Sequence, residues 1–290
     1  MESQKSSSTK KWLMGCGIGC GAVVLIGIIL VVGGVVFVRN MVNSFEESED
    51  ILKELTEKYG KINEYCPSSS GAIAAERMEA FLKTREIIKP EIQELEHTID
   101  ILSKEYEEKQ TEKKGSAGVL KKIRTGIGLI PKIAEFLKKR NQALLDVEMG
   151  IGEYYYIYSL AYYCWLDKPI IDGVPININK NNEFDFQHWE YEESEEIRRD
   201  LSVRELHKII LPMLKNQYEK LMQNPDKEIS ENWRRALEKE IKDMEANRYR
   251  LVWRDGMPEV IVNSLRPYKD RLEASYSSIL NNIELLMEQR

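Results

Sequence analysis

MEAFLKTREIIKPEIQELEHTIDILSKEY, residues 78–106, decides the fold. Met78, Phe81, Arg85, Ile88, Ile92, Leu95, Ile99, Leu102 and Tyr106 recur at alternating steps of three and four. That spacing places them on one seam of a helix, with the heptad rhythm of a coiled coil. Pro90 lies inside the run, and the register continues past it. A kink is therefore expected there, not the end of the helix.

The same period extends outward in both directions. Upstream, Phe45, Leu52, Leu55, Tyr59, Ile62 and Cys66 read as a helix that stops at Pro67. Downstream, a charged loop at Lys113–Gly118 leads into a long helix carrying Ile133, Leu137, Arg140, Leu144, Val147, Ile151, Tyr154, Tyr158, Tyr162 and Trp165, with Pro131 in its first turn. Three further helices are expected over about 197–222, 228–250 and 259–288, separated by Asn224-Pro225-Asp226 and Asp255-Gly256-Met257-Pro258. The expected fold class is all-α, an antiparallel bundle of about six long helices. Residues 167–196 break the pattern. Ile176 and Ile178 alternate against Phe184 and Phe186 around Asn181-Asn182, which suits a β-hairpin insert.

Trp12 to Val38 are 27 consecutive positions without a charge. About 20 apolar residues cross a bilayer, so this stretch reads as a single N-terminal transmembrane helix. It is too long for a cleaved signal, and no small-residue cleavage site closes it. Lys5, Lys10 and Lys11 precede it, whereas Glu46, Glu47, Glu49 and Asp50 follow soon after Arg39. The basic side stays in the cytoplasm, which puts residues beyond the anchor in the periplasm, a lumen or the exterior. The expected organisation is a cytoplasmic tail at 1–11, the anchor at 12–38, a membrane-proximal helix at 39–66 and the bundle at 67–290. Gly15/Gly19 and Gly17/Gly21 form small-xxx-small pairs within the span. They allow close helix approach and self-association, although glycine is also simply common in membrane helices.

The chain carries a net charge of −6. Through Arg39 four basic residues face Glu2, a net of +3, which leaves −9 for the remainder. An acidic external domain argues against nucleic acid as a partner. Cys16 and Cys20 lie in the span, while Cys66 and Cys164 lie outside it. In an oxidising compartment the latter two either form a disulfide or remain separate buried thiols.

Three features could carry chemistry. Tyr154, Tyr155, Tyr156, Tyr158, Tyr162, Tyr163 and Trp165 cover more than one helix face. They form either a ligand or partner wall, or a centrally buried helix. Arg85 and Arg140 occupy seam positions that otherwise take apolar residues. They imply an anion site inside the bundle, or buried ion pairs that fix register, with Glu148 and Glu153 as acidic candidates for Arg140. Trp189 and Tyr191 sit in the acidic 167–196 insert, which is either a contact loop for a basic partner or a solvated excursion.

No cofactor is implied. The Asn177–Asp185 run lacks the turn glycine and closing glutamate of a calcium loop. His97, His188 and His207 show no metal spacing, and no hydrolase, phosphate-loop or dinucleotide fingerprint occurs. The sequence thus points to a non-enzymatic, membrane-anchored interaction or scaffold module, with the lipid bilayer and another envelope protein as partners. A tethered receptor or carrier for a small ligand is the alternative, and a tethered hydrolase the third.

Overall fold

The structure, a computed structural model, describes residues 47–110, 117–172, 177–178, 184–185, 195–223 and 231–286. It is all-helical but for one short antiparallel pair. The transmembrane run, its Gly15, Gly17, Gly19 and Gly21, and Trp189 lie outside the described residues. Among the described residues, no helix is long and apolar enough to cross a membrane.

Helix α1 covers 47–59 and ends where Gly60 adopts φ 84°, the left-handed conformation that suits glycine beyond a helix end. The chain then makes a single 3-10 turn at Ile62–Glu64. The helix expected to reach Cys66 therefore stops earlier. The Lys61 amide donates to Glu64 Oε2 at 2.8 Å, which stabilises the turn instead.

Helices α2 (Ala75–Ile87) and α3 (Lys89–Gln110) are the two halves of the seam. They meet at Ile88, two residues before Pro90, with Ile88 at φ −86°, ψ 0°. The register survives the break. Met78, Phe81, Arg85, Ile88, Ile92, Leu95 and Ile99 are all buried.

Helix α4 (Ala117–Asp146) begins well before the expected start and holds Pro131 in its interior. It packs along α3. The long helix expected to run on to Trp165 is interrupted at Val147–Gly150. There Glu148 takes φ 55°, and its carbonyl accepts from Arg77 Nη2 at 3.1 Å. Helix α5 (Ile151–Tyr158) follows and widens directly into a π-helical segment, Ser159–Trp165. Gly152 makes the restart possible. A Cβ there would lie 2.4 Å from the Ile62 carbonyl oxygen.

The insert contributes strands β1 (Asn177–Ile178) and β2 (Phe184–Asp185), paired antiparallel with Ile178 opposite Phe184. Helix α6 (Glu195–Gln223) carries Pro212 inside it and packs on α7 (Glu231–Ala246). The final helix expected over 259–288 is instead three short ones. They are α8 (Glu259–Leu265), α9 (Lys269–Ser275) and α10 (Asn281–Leu286). Pro267 sits in the 3-10 turn between α8 and α9, where its ring and missing N–H end the α-helical ladder.

Among the described residues, two apolar clusters result. The larger joins α1, α2, the end of α4, α5, α6, α7, α8 and α9 around the tyrosine segment. The smaller packs α3 and α4 against Leu280 and Ile283 of the C-terminal segment.

Candidate functional site

The six tyrosines do not form a wall. All are buried, between 0% and 4% exposed, and their rings pack on one another and on Phe81. A buried phenol costs free energy unless its hydroxyl finds a partner, and of the six only Tyr156 OH has no hydrogen-bond partner. Tyr154, Tyr155, Tyr158, Tyr162 and Tyr163 find theirs in one polar network, built with both seam arginines.

Arg85 is its centre. Its side chain is fully buried, as is that of Glu284. Nη1 donates to Glu284 Oε1 at 2.5 Å and to Tyr154 OH at 2.8 Å. Nε and Nη2 both donate to the Ser275 carbonyl, at 3.2 and 2.6 Å. Tyr154 OH in turn donates to Glu284 Oε2 at 2.6 Å. The guanidinium also faces the rings of Tyr158 and Tyr162, 5.6 and 5.9 Å from their centroids. Burial alone would lower the Arg85 pKa. Glu284 and the surrounding tyrosines outweigh it and hold the pKa well above the ordinary value.

Arg140 forms the second node. Nη1 donates to Tyr155 OH at 3.2 Å, and Nε and Nη2 donate to Asn141 Oδ1 at 3.2 and 3.0 Å. Tyr155 OH passes the chain of bonds on to the Glu284 carbonyl. Of the two acids suggested for Arg140, Glu148 is exposed at the break after α4. Glu153 instead binds Arg77, at 2.7 Å from Nε and 2.5 Å from Nη2.

Asn281 is the third node. Its Oδ1 accepts from Tyr158 OH at 3.0 Å and from Tyr163 OH at 2.6 Å, while its Nδ2 donates to the Ile170 carbonyl at 3.0 Å. Tyr158 and Tyr163 are five residues apart, and an α-helix would splay them to different faces. The wider π turn brings residues five apart together, so the π segment is what lets both reach one amide oxygen. Tyr162 OH lies 2.8 Å from Ser275 Oγ.

Burial raises the Tyr154, Tyr155, Tyr158 and Tyr163 hydroxyls above the ordinary phenol range, and Glu284 adds to the shift in each. The network therefore holds neutral phenols around the buried Arg85–Glu284 pair.

The arrangement brings together Arg85, Arg140, Tyr154, Tyr155, Tyr158 and Tyr162 of the residues singled out in the sequence. Trp165 lies at the margin, half-buried against the larger cluster. Of the two alternatives for Cys66 and Cys164, the structure has free thiols. Cys164 Sγ donates to the Val252 carbonyl at 3.1 Å, so its partner is backbone. Burial pushes both thiols above their ordinary range. Sequence reasoning missed Glu284 and Asn281. Their signal was present. Leu280, Asn281, Ile283 and Glu284 follow the helical spacing of a buried face, and two of the four are polar.

A second buried polar group lies between α7 and the following turn. Glu240 Oε2 accepts from Arg250 Nη2 at 3.0 Å, and Oε1 accepts from the Trp253 amide at 2.7 Å. This holds Trp253 at φ 55°. Nearby, a crevice lined by Leu206, His207, Ile210, Met244 and Val252 is too tight for a water molecule. Among the described residues, no group of three or more His, Cys, Asp or Glu side chains is placed to hold a metal ion.

Compared with protein-family models, with curated proteins and with solved structures, the chain matches none.

Proposed function

We propose that this chain is a single-pass membrane protein whose external helical bundle binds another envelope protein. The observation that carries the reading is the closure of the Arg85–Glu284–tyrosine network. The residues that looked most like a ligand wall spend their hydrogen bonds on one another. Their role in this reading is to fix the arrangement of α2, α4, α5 and α10, as buried polar networks do in some helical assemblies. Recognition then falls to the outer faces of the bundle, and the uncharged run Trp12–Val38 supplies the tether.

The test is affinity purification of the tagged full chain from its native membranes. A stoichiometric protein partner that is lost when 12–38 are deleted supports the proposal. A chain extracted by alkaline carbonate, with no co-purifying protein, overturns it.

The second reading is a tethered receptor for a small anion, and the paired placement of Arg85 and Arg140 favours it. It requires Glu284 to withdraw from Arg85, because the carboxylate already occupies that position. A rise in melting temperature with a small carboxylate or phosphate is its signature.

A further inference from the structure

The tyrosine rings form a continuous path from the core to the surface. Tyr154 lies 6.1 Å from Tyr158, Tyr158 lies 4.6 Å from Tyr162, and Tyr162 lies 5.1 Å from Tyr276, centroid to centroid. Those are the separations of packed aromatic rings. Tyr154, Tyr158 and Tyr162 are fully buried, whereas Tyr276 is half-buried. Electrons pass readily between rings in such contact, and alkyl side chains offer no comparable stepping stone.

The hydroxyl partners along this path are not alike. At its outer end Tyr276 OH donates to Asp172 Oδ2 at 3.0 Å. At its inner end Tyr154 OH donates to Glu284 Oε2 at 2.6 Å. Between them the partners are neutral. Tyr158 OH donates to Asn281 Oδ1, and Tyr162 OH meets Ser275 Oγ. Tyr155 and Tyr163, beside the path, also donate to neutral groups, the Glu284 carbonyl and Asn281 Oδ1. A phenol gives up an electron easily only when its proton can leave with it. A carboxylate in hydrogen-bond contact can take that proton, whereas an amide or hydroxyl oxygen holds it poorly. The path thus has a proton acceptor at each end and none between. Packing alone does not ask for this, since any hydrogen-bond acceptor satisfies a buried phenol.

We propose that Tyr276, Tyr162, Tyr158 and Tyr154 are a relay that carries a one-electron oxidation from the surface into the core, where Tyr154 holds it. The oxidant is a small anionic radical such as the carbonate radical, for which Lys168 Nζ, 5.4 Å from the Tyr276 ring centroid, supplies a counter-charge. It takes one electron from Tyr276 and is reduced to carbonate, and the Tyr276 proton crosses to Asp172. An electron then moves outward from Tyr154 through Tyr158 and Tyr162 to Tyr276, which takes its proton back from Asp172. The Tyr154 proton crosses to Glu284. The net change is one electron lost from Tyr154 and one proton moved to Glu284 Oε2; only the phenolic O–H bond breaks and only the carboxyl O–H bond forms. Burial keeps the Tyr154 radical away from other chains, so oxidation at the surface does not end in a covalent crosslink. The inference is independent of the protein partner proposed above.

The experiment oxidises the full-length chain in detergent with carbonate radical generated by a light flash, in the presence of a water-soluble spin trap. Electron paramagnetic resonance follows the tyrosyl radical, and mass spectrometry maps the trap adducts. In the wild-type chain a tyrosyl signal should survive the trap. Tyr162→Phe keeps the ring but breaks the relay, because phenylalanine is far harder to oxidise. That variant should lose the trap-resistant signal and gain adducts on Tyr276. Tyr276→Phe, at the half-buried outer end, should also lose the trap-resistant signal, and it decides if Tyr162→Phe does not fold. A trap-resistant signal that is unchanged in the folded variants, or the lack of one in the wild type, overturns the proposal.

Discussion

Replacing Glu284 by Gln probes the network at its most consequential point. The side chain is fully buried and accepts from Arg85 Nη1 at 2.5 Å and from Tyr154 OH at 2.6 Å. Glutamine keeps the shape but offers one acceptor oxygen and one donor amide. One of the two donors then faces another donor, and the Arg85 charge loses its counter-charge. Removing one partner of a buried ion pair costs about 3–5 kcal/mol. Arg85 retains the Ser275 carbonyl through Nε and Nη2, which places the loss near the lower end, about 3 kcal/mol. For a domain of this size that corresponds to roughly 6–12 °C in melting temperature. The assay is thermal unfolding followed by circular dichroism, in wild type, Glu284→Gln, Arg85→Met and the double variant. The double variant should lose less than the sum of the singles by about 1–3 kcal/mol. A loss under about 1 kcal/mol for Glu284→Gln, or strict additivity, refutes the claim that the pair is desolvated and coupled.

Other consequences are equally direct. Gly152→Ala would press a methyl group to 2.4 Å from the Ile62 oxygen and 2.7 Å from Tyr65 Cβ, so it should destabilise by about 1–3 kcal/mol in a denaturant titration; an unchanged midpoint would mean that α5 does not seat on the 3-10 turn. The buried phenols have folded pKa values raised above the unfolded value of about 10, so their contribution is complete below about pH 10 and is lost as pH rises toward the folded values. Tyrosinate absorbance from these residues should therefore appear in one step with the loss of helix, whereas gradual ionisation of a still-folded chain would contradict their burial. Because Cys66 and Cys164 are free thiols, a reductant should leave the melting temperature unchanged, and non-reducing mass spectrometry of the unfolded chain should find both modifiable; a linked 66–164 peptide would contradict the structure.

The helical class is plain in the 78–106 seam, because a three-four rhythm over eight steps fits no strand. Breaks between helices were harder to read, for identifiable reasons. The turn at 147–150 rests on Glu148 in a left-handed conformation held by Arg77, a long-range contact that leaves no local mark. Pro131 sits inside α4, where packing against α3 overrides its usual place at a helix start. Pro267 did mark a real interruption, hidden by the apolar period running through it. At the site, Arg85 and Arg140 stood out because charge at a seam position demands a partner. The partner could not be named, since Glu284 lies 199 residues away from Arg85 and meets it only in the folded chain. The tyrosines were legible as a cluster. Their sharing of one amide depends on a π turn that no residue type announces.

The proposed function is that of a membrane-tethered bundle that works through protein contact. Crosslinking the full chain in its native membranes, followed by mass spectrometry, addresses it most directly. The account predicts a stoichiometric second protein linked to lysines on the outer faces of α6 and α7, such as Lys208 and Lys239, which are exposed. Crosslinks confined to copies of this chain, or a chain recovered in the soluble fraction with no partner, would contradict it.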